Sequence, residues 1–422
     1  MIKVTNTQRV RSSLQDQGRK LWYIESSLYN YSINISMGIV NALAIKILGY
    51  GVVELGALMF LRLIAVALSQ IPAAYLTLFH RNIRKKIWFI LGAINRIGWA
   101  LVILSIAMPK GIDFVYIAAL TFIAQFAGGI AGVAASDTIG DLIPASVSTI
   151  VFTRVNQLNN LAIAVSYITS IAVFMLPIDT IVKYATAYSI SFISAVASTI
   201  ALYFIPDPLV RKNQENTAPR VHNNDSIRDL FVDKKLKNYL IVTSLFNFSV
   251  NIPAPFWDYV VLSVTKGMEV FVILKNVVNL LVKSASAVWW RRYISRRSMK
   301  KVFVRGLAFT SIIPLAYTEV LSPIEIICIE MYSGFIWMPI DLGSMVYNIY
   351  LSPNNIRPAY LSTVNLAVNL ASSIASYLGT FMAIITGNVA PAFLASGILR
   401  SVTAGIASKI LPDIGGESKQ SE

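Results

Sequence analysis

Twelve apolar runs alternate with short polar segments along the chain, at about 22–48, 52–79, 87–108, 113–137, 157–177, 180–205, 238–264, 268–290, 302–321, 324–350, 359–386 and 389–411. Most match or exceed the roughly 20 residues that a helix needs to cross a bilayer. Helices satisfy their own backbone groups in lipid, so the pattern predicts an all-α polytopic membrane protein. The short alternating strands of a membrane barrel are absent. Two runs are interrupted by polar residues in the same way. Tyr29-Asn30-Tyr31-Ser32-Ile33-Asn34-Ile35 returns as Phe246-Asn247-Phe248-Ser249-Val250-Asn251-Ile252, with four of seven positions identical. In each copy the asparagines are four residues apart and share a helix face. Continuing that face gives Asn41 in the first copy and Asp258 in the second. A polar stripe in lipid is costly unless it faces a bundle interior or a water-filled cavity. It also serves as glue between helices. Its return after half a chain favours a duplicated carrier with a central site.

The long polar stretch 206–237, with Pro206, Pro208 and Pro219, divides the chain. Residues 1–205 form one predicted six-helix half, 206–237 a cytoplasmic linker with a short amphipathic helix near Ile227–Leu236, and 238–422 the second half with a short tail. Further echoes fit this division. Val155-Asn156 and Asn160-Leu161-Ala162 return as Val364-Asn365 and Asn369-Leu370-Ala371, and Gly51 and Gly267 each precede a second helix.

Composition adds little to the fold but limits the chemistry. Of 422 residues 55% are hydrophobic and 14% charged, with a net charge of +15, against about 25% charged in soluble domains. The excess of Lys and Arg falls in alternate loops, chiefly Arg81/Arg84/Lys85/Lys86 and Arg291/Arg292/Arg296/Arg297/Lys300/Lys301. This bias predicts cytoplasmic termini and linker in a cell-membrane protein, not a nucleic-acid-binding surface. The polar, basic stretch ahead of the first run is not expected to be a cleavable signal. The single cysteine, Cys328, sits in an apolar run and reads as a buried thiol, and His80 and His222 fall in loops. Neither a metal site, a cofactor nor a catalytic constellation is expected. There is no GxxxxGK[ST] phosphate loop for direct ATP use.

Candidate site residues follow from polar positions inside the runs. The tenth run carries Glu330, Gly334, Trp337, Asp341, Ser344 and Asn348 on one helical face, and the fourth carries Gln125, Gly129, Gly132 and Ser136. Gly128 and Gly132 also form a close-packing GxxxG pair. Asn30, Asn34, Arg62, Gln125, Asn247, Asn251, Asp258 and Trp337 are expected around a substrate cavity. Arg62, too deep in the second run to snorkel, is expected to meet an anion or an acidic side chain. Arg154, near Asp137 and Asp141, is expected in an inner-face charge network. Lys275 lies in the eighth run. Glu330 is the first candidate for proton coupling and Asp341 the second. The competing reading pairs Glu330 with Lys275 or Arg62 to hold helices together.

Twelve helices in two parallel halves, with the first and fourth of each half lining a cavity, resemble the major facilitator superfamily over essentially the whole chain. The resemblance implies a secondary transporter that moves a small solute by alternating access. That family's loop between helices 2 and 3 reads roughly Gly-x-x-x-Asp-Arg-x-Gly-Arg-Arg. Here Arg81, Arg84 and Lys85 fit, while both glycines and the aspartate are missing. The resemblance makes these three residues a cytoplasmic gate; the positive-inside rule gives them a plainer role. The fifth run has no glycine, unlike the helix 5 signature of proton-coupled drug antiporters. The expected partners are a small-molecule substrate, protons and the bilayer, around a monomer. A lipid or oligosaccharide flippase is the alternative. A polytopic enzyme ranks below it, because Asp137-Thr138-Ile139-Gly140-Asp141 lacks the second acidic motif of a metal–diphosphate site.

Overall fold

The computed structural model describes residues 6–143, 145–207, 233–294, 298–351 and 357–413. Among these, every regular element is a helix, and ten helical stretches are long and apolar enough to cross a membrane. Large apolar side chains such as Ile168, Ile193, Ile324 and Ile385 stand on the outside, each more than 60% exposed. In a protein of this composition that outer surface faces lipid. The protein is an all-α polytopic membrane protein.

Two compact units form, and each takes part of the first two helices. α1 (Asn6–Lys46) and α2 (Val52–Phe79) contribute residues up to Val40 and from Ser69 to the first unit. There they join α3 (Arg84–Ala100, prolonged by a 3-10 turn to Ala107), α4 (Ile112–Leu142), α5 (Ala145–Met175) and α6 (Thr180–Phe204). α3 packs on α4 and α6, around a core that includes Trp88, Ala131, Ala134, Leu142 and Leu202. Gly128 and Gly129 let α4 close on Asn95 and Ser69. Gly132 faces open space instead, so the GxxxG pair is not one contact.

The second unit takes Asn41–Leu68 together with the C-terminal helices. These are α7 (Lys234–Asn251), α8 (Trp257–Val264), α9 (Glu269–Ile294), α10 (Met299–Phe309), α11 (Ile312–Tyr317), α12 (Pro323–Leu351), α13 (Arg357–Thr386) and α14 (Ala390–Ile410). α7 packs on α13 and α14, α9 on α12, and α10 and α11 on α14. Tyr239, Phe246, Phe303, Tyr347 and Tyr360 fill the core.

Proline accounts for the breaks within two of the expected runs. The seventh run breaks after Asn251, where Pro253 and Pro255 impose a 3-10 turn before α8. The ninth breaks at Thr310-Ser311, four residues before Pro314, into α10 and α11. A proline lacks the N–H for the carbonyl four residues earlier and its ring crowds that carbonyl. The first run belongs to a much longer helix, because α1 begins at Asn6 and runs through the polar residues ahead of it. α7 likewise begins within the expected linker, with Asp233 accepting from the Lys235 N–H as its cap. Most of the expected amphipathic helix at 227–236 lies outside the described residues, as do His222, Arg296 and Arg297. Cys328 is exposed, not buried: an apolar neighbourhood in a membrane helix marks a lipid-facing side as readily as a core.

Candidate functional site

α1 is continuous from Asn30 to Asn41, so its polar residues keep the helical spacing read from sequence. The Asn30 amide donates to the Ser26 carbonyl and that of Asn34 to the Asn30 carbonyl, both at 2.8 Å. α7 repeats this: Asn247 donates to Thr243 O at 2.9 Å and Asn251 to Asn247 O at 2.8 Å. Each second asparagine then reaches the fifth helix of its own half. Tyr167 OH donates to Asn34 Oδ1 at 3.3 Å, and Asn251 Nδ2 donates to Ser372 Oγ at 3.0 Å. All four asparagines are half-buried.

The third members of the two stripes meet each other. Asn41 Nδ2 donates to Asp258 Oδ2 at 2.9 Å, although the chain turns at Pro253 and Pro255 on the way to Asp258. Arg62 Nη1 donates to Asn41 Oδ1 at 3.3 Å, and Lys275 Nζ lies 3.1 Å from Asp258 Oδ1. Arg62 is thus connected to a carboxylate through the Asn41 amide, and Lys275 takes Asp258 rather than Glu330. Nearby, Lys46 Nζ meets Glu269 Oε1 at 2.6 Å and Gly267 O at 2.8 Å. Gly267 holds that carbonyl in a left-handed turn, φ +82°, which glycine adopts without steric cost.

Glu330, half-buried on α12, has two neutral donors. Tyr317 OH donates to its Oε1 at 2.7 Å and Asn279 Nδ2 to its Oε2 at 2.9 Å. Asn279 also reaches Ser333 Oγ at 2.9 Å. Gly334 lets α12 approach the Asn279 backbone, where a methyl group would collide. Tyr317 is fixed by aromatic contacts. Its ring stacks on Phe393 at 5.8 Å, and Trp257, next to Asp258, meets both rings edge-on. Tyr317 rides on the short α11, whose start is pinned from α14: the buried Arg400 donates Nη1 to Thr310 O at 3.0 Å. Thr310 O is the carbonyl whose donor four residues on is lost to Pro314, and it also accepts from the Ile313 N–H at 3.3 Å. Trp290 does the same in α12, donating Nε1 at 2.8 Å to Phe335 O, four residues before Pro339.

The remaining expected residues are spread over both units. Trp337 is half-buried against Phe246, ring centroids 5.7 Å apart. Asp341 is exposed and paired with Lys283. Gln125 is half-buried on α4. Arg81 lies in a 3-10 turn. Arg84 is fully buried, 2.6 Å from Asp137 Oδ2, and Lys85 donates to Tyr203 O at 3.2 Å. Arg84 and Lys85 therefore tie α3 to α4 and α6 within the first unit. Asp137 goes with Arg84, while Arg154 is exposed.

The first unit also contains a buried ion pair that sequence reading did not find. Arg96 on α3 pairs with Glu25 on α1, both about 4% exposed. Its guanidinium lies 4.9 Å over the Tyr29 ring, and Gly92 leaves room for it. Arg96 stands as a cation within the third apolar run. Glu25, just inside the first run and one helical turn before Tyr29, was the available signal for its partner. Asn279, Tyr317 and Arg400 were also missed.

Among described residues no group of three or more His, Cys, Asp or Glu could hold a metal ion. The family model of the Major Facilitator Superfamily matches residues 26–376. No curated protein matches the chain. Among solved structures, the inward-open xylose transporter XylE from E. coli superposes with TM-score 0.71 at 14% identity, covering 94% of this chain and 97% of its own. The nucleoside transporter NupG gives TM-score 0.63 at 13% identity, with 93% and 96% covered. A POT family transporter in complex with 5-aminolevulinic acid gives 0.70 at 13%, with 92% and 95% covered. With most of its length matched by that family model, the chain belongs to the major facilitator superfamily and is a membrane transporter rather than an enzyme.

Proposed function

We propose that the chain is a proton-coupled secondary transporter of a small hydrogen-bonding solute. It sits in the cell membrane as a monomer with both termini and the linker cytoplasmic. Asn30, Asn34, Gln125, Asn247, Asn251 and Trp337 contact the solute: the amides present paired donors and acceptors, and the indole offers an aromatic wall. Arg62, Asn41, Asp258 and Lys275 form a clasp that opens and closes with the transport cycle. Arg81, Arg84 and Lys85 belong to the cytoplasmic side of the cycle. Glu330 carries the proton, and Asp341, exposed and engaged with Lys283, stands second.

The observation that carries this reading is the pair of neutral donors on Glu330, Tyr317 OH and the Asn279 amide. A carboxylate held in this way takes up a proton without breaking an ion pair. Release follows when the surrounding helices move and water or a cation replaces these donors. Tyr317 also connects Glu330, through Trp257, to the element bearing Asp258. Movement at the clasp is thereby coupled to the proton site.

The solute is to be found first by a thermal-stability screen of the purified protein, since a ligand of the folded state raises apparent stability. Xylose, nucleosides and 5-aminolevulinic acid, named for the structural neighbours, head the panel. The coupling test is Glu330→Gln in proteoliposomes. The variant should lose accumulation driven by a proton gradient and keep solute exchange, which needs no net proton movement. Full gradient-driven accumulation by Glu330→Gln would remove Glu330 from the mechanism.

A further inference from the structure

Between the first turns of α7 and α13 lies a cavity of about 350 Å³, at the small end of the range of ligand sites. Leu236, Leu240 and Ile241 of α7 and Val364 of α13 form its apolar walls. Three polar residues line it as well: Thr363, whose hydroxyl donates to Ala359 O at 2.9 Å, Lys237 and Tyr360. Lys237 is exposed and forms no ion pair among the described residues. Tyr360 is 1% exposed, and its hydroxyl has no hydrogen-bond partner among the described residues. Its neighbours in the same core, Tyr239 and Tyr347, donate theirs to Ser344 O and Pro412 O. A buried hydroxyl without a partner carries a desolvation cost that a ligand oxygen would remove.

The surrounding charge is basic. Lys234, Lys235 and Lys237 lie in the first turn of α7, against Asp233 and Asp413 nearby. This end of the helices is the one that the Lys/Arg bias assigns to the inner face, an assignment on which the location depends. Inner-leaflet anionic lipids are attracted to such clusters, and basic pockets between membrane helices on this side hold their head groups. A soluble anion would leave the apolar walls unused, and a zwitterionic lipid would bring no net charge to Lys237.

We propose that the α7–α13 groove binds an anionic phospholipid. Its acyl chain lies along Leu240, Ile241 and Val364, its phosphate meets Lys237, and an ester or phosphate oxygen accepts from Tyr360 OH. The site is separate from Glu330 and Asp258, so its test does not depend on the transport mechanism.

The test is native mass spectrometry of the full chain with phosphatidylglycerol and phosphatidylcholine of identical chains. Wild type should retain phosphatidylglycerol preferentially. Lys237→Gln should reduce that preference about fivefold, the contribution of one lysine near an anionic surface, and Lys237→Arg should keep it. Tyr360→Phe should weaken retention of the same lipid further. Because Tyr360 belongs to a core, Ile241→Trp, which fills the groove from its exposed side, provides a second route to the same loss. Equal retention of the two lipids, or unchanged retention in both Lys237→Gln and Ile241→Trp, would overturn the proposal. Displacement of the bound lipid by millimolar glycerol phosphate would overturn it as well, marking a site for a soluble anion.

Discussion

A proline in a membrane helix leaves a carbonyl with no water to turn to, and here two such carbonyls are taken up by side chains from another helix. Arg400 donates to Thr310 O below Pro314, and Trp290 to Phe335 O below Pro339. Replacing Arg400 by Met removes the charged donor and leaves Thr310 O only the 3.3 Å bond from the Ile313 N–H, at a cost of about 1–3 kcal/mol. Pro314→Ala restores the missing N–H, so the same replacement should cost less in that background. A double-mutant cycle on thermal unfolding should show coupling of about 1 kcal/mol or more; additive effects would mean that Arg400 serves another purpose. The buried Glu25–Arg96 pair makes a similar prediction. Glu25→Gln leaves a buried guanidinium uncompensated, a loss of about 3–5 kcal/mol, and Glu25→Gln with Arg96→Met should recover part of it. The prediction fails if the double variant melts below the single one. The sequence displayed each of these charges and prolines, but a single chain read in order does not show which residue on another helix meets them. The asparagine stripes were legible because their spacing repeats within one helix.

Helices were read from the sequence better than their interruptions. Apolar length located the helices, and the two strong breaks occur where Pro253/Pro255 and Pro314 stand, a signal that length alone overrides. The first break has a specific counterpart in α13, where Gly379 packs against the Ile252 carbonyl so closely that a methyl group would overlap it. Gly379→Ala should therefore destabilise the protein by about 1–3 kcal/mol through overpacking. Gly405, within α14, has nothing within 4 Å of the added methyl. Gly405→Ala should leave the melting temperature unchanged or raise it, since alanine is favoured in a helix by up to about 1 kcal/mol. If the two variants melt alike, the packing at the α7–α8 turn is looser than this geometry requires.

For the whole molecule, the duplicated plan was legible because repeated motifs and alternating loop charge survive in a single sequence. The grouping of Asn41–Leu68 with the C-terminal helices was not, since it depends on contacts such as Asn41–Asp258 and Lys46–Glu269. Orientation is tested by cysteine labelling in intact cells, with Cys328 first replaced by Ser because it is exposed. A membrane-impermeant reagent should modify Lys110→Cys and spare Asn216→Cys in the linker. Lys110 is a better position than the adjacent Gly111, whose φ of +90° disfavours any side chain. Labelling of Asn216→Cys would reverse the topology.

The clasp provides the strongest test of the transport cycle. Asn41 and Asp258 occupy equivalent positions in the two repeats and share a 2.9 Å hydrogen bond. Both belong to the second compact unit, and in the proposed cycle they separate when the clasp opens. Alternating access requires that separation once per cycle, whereas a purely structural contact stays closed throughout. Asn41→Cys with Asp258→Cys, joined by a short reducible cross-linker in the Cys328→Ser background, should therefore lose at least about tenfold in transport rate. Such a loss corresponds to blocking a step by about 1.4 kcal/mol or more. Reduction of the cross-link should restore whatever activity the uncross-linked double variant retains. Solute binding, followed by thermal stability, should survive cross-linking, because the asparagines proposed to contact solute lie further along α1 and α7. Unchanged transport by the cross-linked protein would show that Asn41 and Asp258 hold α1 to α8 without opening, and the gate would have to be sought elsewhere.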